Sequence, residues 1–215
     1  MSIPDTAPAR TIVVDFDGTI TEDDLLQQIS HVFGDPSVVS EVENALRTGR
    51  ISLREEITRE YEPVKASLDE VRDWVQERVR IRPGFKEFVE RAGERGWRVV
   101  VLSSGFVELI QPTLERAGID VEILANSVVV EPTGWRVVWR EQTTCTVCGE
   151  ECKRGALPGD GEVIYVGDGI SDRCAALASD WIFATRGLAR YLEDRDVEFE
   201  RFDDFFDIMG ALDRG

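Results

Sequence analysis

Three consecutive β-branched apolar residues, Ile12, Val13 and Val14, run into Asp15, and an unbroken apolar run bounded by a turn predicts a strand buried on both faces. The pattern then changes. Between residues 21 and 82 apolar side chains recur at three- and four-residue spacing: Val38, Val39, Val42 and Leu46; Leu53, Ile57 and Tyr61; Leu68, Val71, Trp74, Val75 and Val79. Ser52 with Glu55 and Ser67 with Glu70 have the spacing of capping boxes, and Asp35-Pro36 sets a capping acid before a proline suited to a first helical turn. The segment predicts a compact helical insert, read as a cap of about four short helices.

Pro83-Gly84 marks a boundary, after which helix and strand signals alternate. Helices are predicted over 85–92, ended by Gly96, and through Phe106, Leu109, Ile110 and Leu114, with Pro112 distorting the second. Strands are predicted over 99–102, stopping at Ser103, and over 121–125. Residues 127–140 alternate as a hairpin that turns at Pro132-Thr133-Gly134 and returns through Trp135 and Trp139. A buried strand over 162–166, a helix over 175–178 and a strand over 181–184 complete the pattern.

Such alternation implies an α/β fold, a Rossmann-like three-layer sandwich whose central sheet is mainly parallel. Residues 11–20 and 83–215 would form its core, and residues 21–82 the helical cap inserted after the first strand. Binding sites in such sheets lie beyond the carboxyl ends of the strands. Three predicted strands end in polar clusters there: Asp15 with Asp17, Ser103 with Ser104, and Asp168 with Asp172.

The chain has 215 residues and carries 42 acidic against 25 basic residues, a net charge of −17. That balance argues against nucleic acid or anionic membranes as partners. A phosphorylated small molecule would be repelled at long range, so a site for one needs local positive charge or a metal. The first ten residues lack the apolar core of a signal peptide and no run approaches membrane-spanning length, so a cytoplasmic location is expected. His31 is the only histidine and lies in an amphipathic helical pattern, which leaves little room for a histidine relay and reads as a helix-surface residue.

Asp15 and Asp17 followed by Gly18 could be a solvated turn, since Asp-Gly is a common turn dipeptide. Four carboxylates, two hydroxyls and a lone lysine gathered at one sheet edge suit phosphoryl transfer instead. Hard oxygen donors from Asp15, Asp17, Asp168 and Asp172 suit a divalent cation of the Mg²⁺ kind. Lys153 and Ser103, with backbone around Gly18, Thr19, Ser104 and Gly105, would bind the remaining phosphate oxygens. Asp24 reads equally as a substrate contact and as a helix-start charge.

DFDGTI at 15–20, the serine at 103 after a valine-rich strand, Lys153, and GDGISD at 167–172 resemble the four motifs of the haloacid dehalogenase superfamily of phosphatases. The insert falls where the phosphoserine-phosphatase-like branch carries its cap. The resemblance implies a Mg²⁺-dependent phosphomonoester hydrolase in which Asp15 is the nucleophile and Asp17 the acid/base. Within that branch, RPGFKEFV at 82–89, SSGF at 103–106, CGEECK at 148–153 and FDDFFD at 202–207 are similar to 2-hydroxy-3-keto-5-methylthiopentenyl-1-phosphate phosphatases of methionine salvage. Phosphoserine phosphatases also look similar, but Ser104, Ser171 and Asp24 depart from their usual Gly, Asn and Glu. Phosphocholine and phosphoethanolamine phosphatases resemble the chain around YVGDG. A phosphate-metabolite sensor on the same fold is the non-enzymatic alternative.

Cys145, Cys148 and Cys152 form a C-x₂-C-x₃-C string, and Cys174 follows Asp172 by two residues. Such a set suits structural zinc, but the missing second C-x₂-C pair favours reduced thiols in a tight loop.

Overall fold

The apolar run becomes β1, Arg10–Val14, at the centre of a seven-stranded sheet ordered β4-β3-β2-β1-β5-β6-β7 in a computed structural model that describes residues 10–214. The N-terminal stretch read for a leader therefore lies outside the described residues. No helix among the described residues is long and apolar enough to cross a membrane.

β1 pairs in parallel with β2 (Arg98–Phe106) on one side and β5 (Glu162–Gly167) on the other. From β1 the chain builds outward through β2 to β3 (Glu122–Glu131), then returns to β5 and builds the other way through β6 (Trp181–Ala184) and β7 (Glu200–Arg201). The direction reverses between β1 and β5, which is where open α/β sheets form their crevice. Alternation explains the unbroken apolar runs. Ile12, Val14, Ile164 and Val166 pack into one cluster, while Val13, Val163 and Tyr165 pack into another on the opposite face.

Four helices follow β1: α1 (Leu25–Phe33), α2 (Pro36–Arg47), α3 (Leu53–Tyr61) and α4 (Leu68–Arg78). Asp35 and Ser52 cap α2 and α3 as their positions predict, and Ser67 with Glu70 forms the reciprocal box at α4. The insert shares the main core. Ile57, Tyr61, Val71 and Val75 belong to the same buried cluster as β1, and Tyr61 packs edge-on against Phe106 of β2 with ring centroids 4.7 Å apart.

α5 (Phe85–Glu94) and α6 (Val107–Arg116) flank β2. Pro112 stands inside α6 and leaves the Glu108 carbonyl without its usual helical donor; Arg72 Nε of α4 reaches it at 3.4 Å. β2 does not stop at Ser103 but runs to Phe106, with a register shift against β3 after Leu102. The expected strand at 121–125 and the first arm of the hairpin are one continuous strand, β3, which pairs with β2 at its start and with β4 (Gly134–Val138) at its end. Gly134 takes φ +140°, and a β-carbon there would fall 1.7 Å from the Glu62 carbonyl oxygen, so the hairpin meets the end of α3 only through a glycine.

α7 (Arg173–Ala176) follows β5, and α8 (Arg186–Glu193) follows β6. α9 (Phe205–Leu212) packs Phe205 at a tilt against Phe85 and Phe88 of α5. The last three elements, α8, β7 and α9, were not anticipated from the pattern.

Candidate active site

The ends of β2, β1 and β5 bring the three polar clusters together. Asp15 is held at the end of β1 by its N–H, which donates to the Val166 carbonyl at 2.9 Å. The chain then makes a wide turn over residues 16–20. Gly18 takes φ +75° in that turn, and a β-carbon on it would stand 2.4 Å from Asp168 Oδ2. Glycine is thus what lets the first and last acidic motifs touch. The Gly18 N–H is engaged by the Asp23 carbonyl and by Thr21 Oγ1, both at 3.1 Å, which corrects the expectation that it serves as a phosphate donor. Thr19 Oγ1 donates to Asp168 Oδ1 at 3.4 Å.

Lys153, on a short helical turn over Lys153–Ala156, is 5% exposed and donates to Asp15 Oδ1 at 2.5 Å and to Asp172 Oδ1 at 2.7 Å. Asp172 is fully buried. Its Oδ1 also accepts from the Tyr165 hydroxyl at 2.7 Å and from Ser171 Oγ at 3.4 Å, and its Oδ2 accepts from the Asp168 and Gly169 N–H groups at 3.0 and 2.8 Å. Five donors leave this carboxylate little to offer a metal. Lys153 and the hydrogen bonds outweigh burial and hold its carboxyl below the usual range.

Asp15 responds in the opposite sense. Burial and the Asp172 and Asp168 charges push its carboxyl well above the ordinary value against the pull of Lys153. Burial and Asp172 push Asp168 up to about 7, with Arg186 opposing from 3.6 Å. Oxygens of Asp15, Asp168 and Asp172 all lie within 4.8 Å of one another. The crowding that raises Asp15 and Asp168 marks a place suited to a further positive charge, and their oxygen donors fit a hard divalent cation.

Asp17 Oδ1 accepts from the Leu26 N–H at 3.1 Å, and burial, then Asp24, push its carboxyl up to about 8. Asp24 caps α1 by accepting from the Gln27 N–H at 2.9 Å, so its helix-start role is satisfied, and it also lines the cleft. Ser103 is buried, and its Oγ accepts from the Gly105 N–H at 2.8 Å; that contact shapes the register shift in β2. The Ser104 carbonyl accepts from Asn126 Nδ2 at 2.8 Å.

Several contributors were not singled out from sequence. Tyr165 sits in a strand position indistinguishable from core. Arg82 donates to the Thr19 and Gly18 carbonyls at 2.7 and 2.8 Å and so braces the turn. Glu56 and Glu60 place an acidic edge of α3 in the cleft beside Asp17 and Asp24. Burial first, and neighbouring acids second, raise Glu56 to about 8 and Glu60 to about 7. Their signal was two glutamates four apart on an apolar-patterned helix, which looks like any solvated face. His31 is exposed, with Nε2 2.9 Å from Glu43 Oε1, as a helix-surface residue should be.

These shifts predict a pH dependence. Asp17, Asp168, Glu56 and Glu60 hold protons in the folded chain that an unfolded chain releases near pH 4. The folded state therefore binds more protons between about pH 4 and pH 8, and stability falls as pH rises through that window. Without divalent cations, the urea midpoint at pH 5 should exceed that at pH 8, and Mg²⁺ should narrow the gap by stabilising at pH 8. Equal midpoints would show that these acids are not crowded as described.

The family model for haloacid dehalogenase-like hydrolases matches residues 12–177, from β1 through α7. The chain is 30% identical over 207 residues to a 2-hydroxy-3-keto-5-methylthiopentenyl-1-phosphate phosphatase of Geobacillus kaustophilus, covering 93% of this chain and 94% of that one. It is also 30% identical over 219 residues to the Pdp3-interacting factor 1 of Schizosaccharomyces pombe, with 93% of each chain covered. A solved structure of a phospho-aspartyl intermediate analogue of phosphoserine phosphatase superposes with a TM-score of 0.72 at 17% identity, over 95% of this chain and 99% of the other. Motif order, sheet topology and full-length similarity coincide, and the chain belongs to the haloacid dehalogenase-like hydrolases.

Proposed function

We propose that the chain is a divalent-cation-dependent phosphomonoester hydrolase acting on a small metabolite through an aspartyl-phosphate. The observation that carries this reading is a buried lysine holding Asp15 at 2.5 Å while Asp17 stands beside it with a carboxyl raised to about 8. Lys153 fixes one oxygen of Asp15, leaving the other to attack phosphorus. Asp17 carries a proton at neutral pH, hands it to the departing alkoxide, and afterwards takes one from the water that cleaves the acyl phosphate. Ser103 and Lys153 bind phosphate oxygens, while Asp172 positions Lys153. Asp15 and Asp168, with the Asp17 main-chain carbonyl, would hold Mg²⁺, which supplies charge neutralisation for the phosphoryl group. The helices α1–α4 act as the cap that keeps bulk water from the cleft.

Two lobes of the cleft favour two substrate classes. A cavity of about 480 Å³ adjoining Ser103 and Lys153 is walled by Leu46, Ile51, Leu53 and Trp139, which suits the apolar tail of a methylthio ester. This makes the phosphate ester for which the Geobacillus relative is named the first to test. The second lobe, about 210 Å³, sets Asp24, Glu43, Glu56 and Glu60 beside Asp15 and Asp17, and Glu56 has no ion pair among the described residues. That wall favours an amine-bearing ester such as phosphoserine, phosphoethanolamine or phosphocholine.

A hydrolysis panel should separate them. Phosphate release from a generic aryl phosphate is expected with Mg²⁺ and lost with EDTA; no release from any ester would overturn the enzymatic reading in favour of a sensor. Glu56→Gln should raise KM for an amine-bearing ester about tenfold, the worth of one screened charge contact, and leave a methylthio ester unchanged if the amine class is correct.

A further inference from the structure

The loop between β4 and Lys153 has no ladder or helix of its own, yet it carries the residue that grips both Asp15 and Asp172. Residues 139–152 form no regular element, and most of their side chains are exposed. A tight turn organises the loop's far end: the Gly149 N–H donates to the Cys145 carbonyl at 2.9 Å, and the Cys145 N–H donates to the Glu150 carbonyl at 2.8 Å. Gly149 takes φ +76°, as the residue after such a turn must. The Val147 N–H donates to Cys145 Sγ at 3.4 Å, a contact that orients the sulfur inward.

Cys174, on the first turn of α7, meets this turn from the opposite side. The sulfurs of Cys145, Cys148, Cys152 and Cys174 all lie within 4.8 Å of one another, and none is in a disulfide. Tetrahedral zinc with Zn–S bonds of about 2.3 Å separates its sulfurs by about 3.8 Å, so the cluster needs only a slight contraction to close on an ion. The second C-x₂-C pair that the sequence lacks is replaced in space: Cys152 comes from the foot of the loop and Cys174 from a helix, so four ligands arrive from three segments.

We infer that Cys145, Cys148, Cys152 and Cys174 form a structural zinc site, separate from the acidic centre, that clamps the Lys153 loop onto α7. Binding is an exchange without redox change: four S–H protons leave to solvent as four Zn–S bonds form. The site is closed, with no ligand position left for water, which makes it structural rather than catalytic. Its placement has a consequence. Cys152 directly precedes Lys153, and Cys174 follows Asp172 by two residues, so the zinc ties together the two ends of the Lys153–Asp172 ion pair.

Metal analysis of the protein purified under reducing conditions, without chelator, should find about one zinc per chain. Cobalt(II) added to the metal-free protein should give the thiolate charge-transfer band and strong visible absorption of a tetrahedral sulfur site. Cys148→Ser, at the most exposed of the four, should keep the far-ultraviolet circular dichroism of the fold and lower zinc affinity by about 100-fold or more, beyond what loss of an outer partner costs. After stripping with chelator, excess Mg²⁺ alone should fail to restore phosphate release, and Mg²⁺ together with one equivalent of zinc should restore it. Four rapidly titrating thiols with no zinc taken up, or a disulfide found by mass in place of the metal, would overturn the proposal. These readouts of metal content and absorption do not depend on which ester is hydrolysed.

Discussion

Asp15→Asn is expected to lower kcat by about 10⁴-fold or more, a loss of about 5.5 kcal/mol of transition-state stabilisation, on the scale seen when an enzyme nucleophile is removed. The effect should be chemical, not structural. Asparagine keeps the shape of Asp15 and can still accept the Lys153 hydrogen bond through its oxygen. It also removes one of three crowded carboxyl groups whose oxygens lie within 4.8 Å of one another, so the melting temperature of the metal-free variant should be equal to or above that of the parent. Steady-state phosphate release, paired with a thermal melt and an intact-mass search for a phosphorylated chain, separates these contributions. A variant that folds normally and still turns over at the parental rate would place the nucleophile elsewhere.

Lys153→Met should damage both stability and activity. The lysine is 5% exposed and its partner Asp172 fully buried, so removing the ammonium leaves a buried carboxylate without its counter-charge. Breaking a buried pair in this way costs about 3–5 kcal/mol, where an exposed pair costs about 1 or less. For a chain of this length that corresponds to a fall in Tm of roughly 6–20 °C. Burial pulls Lys153 down, but Asp15 and Asp172 outweigh it and hold the ammonium charged. The double variant Lys153→Met with Asp172→Asn should recover much of the lost stability without recovering turnover, because it neutralises the stranded carboxylate while the lysine proposed to bind phosphate is still missing. If Lys153→Met melts like the parent, the ion pair is not the internal brace described above.

The pH dependence of stability and the effects of these variants share one origin. A single sheet edge carries more acid than its own lysine can balance, and the excess is what a cation would neutralise. The net charge of −17 makes that local arrangement necessary, since the protein as a whole repels phosphate.

Much of the fold was legible along the chain because its signals are local. The valines of β1, β2 and β5 are unbroken because both faces of the sheet are covered, and that coverage is written as run length. Caps at Asp35, Ser52 and Ser67 were legible because a cap bonds to residues two or three positions away. Asp15, Asp17, Asp168 and Asp172 stood out because strand ends followed by acids and glycine are short patterns. Where neighbours in sequence decided the outcome less, the reading fell short. β2 continues through Ser103 to Phe106 with a register shift against β3 and a hydrogen bond from the Gly105 N–H to Ser103 Oγ, contacts that the local pattern does not show. α8, β7 and α9 were missed, although α9 closes the core through Phe205 against α5.

The sequence by itself determined the alternation of helix and strand, the placing of the helical insert, and the acids at the strand ends, since each depends on periodicity or on spacing within a few residues. Only the tertiary structure decided which groups face one another. It paired Lys153 with Asp15 and Asp172 across 138 and 19 residues, saturated Asp172 with Tyr165 and two backbone donors, turned the Gly18 N–H away from the cleft, and gathered four cysteines from three segments. The physical reason is range. Propensity and capping act over a turn, whereas burial, charge and ligand geometry act through space, between residues whose distance along the chain says nothing of their distance in the fold.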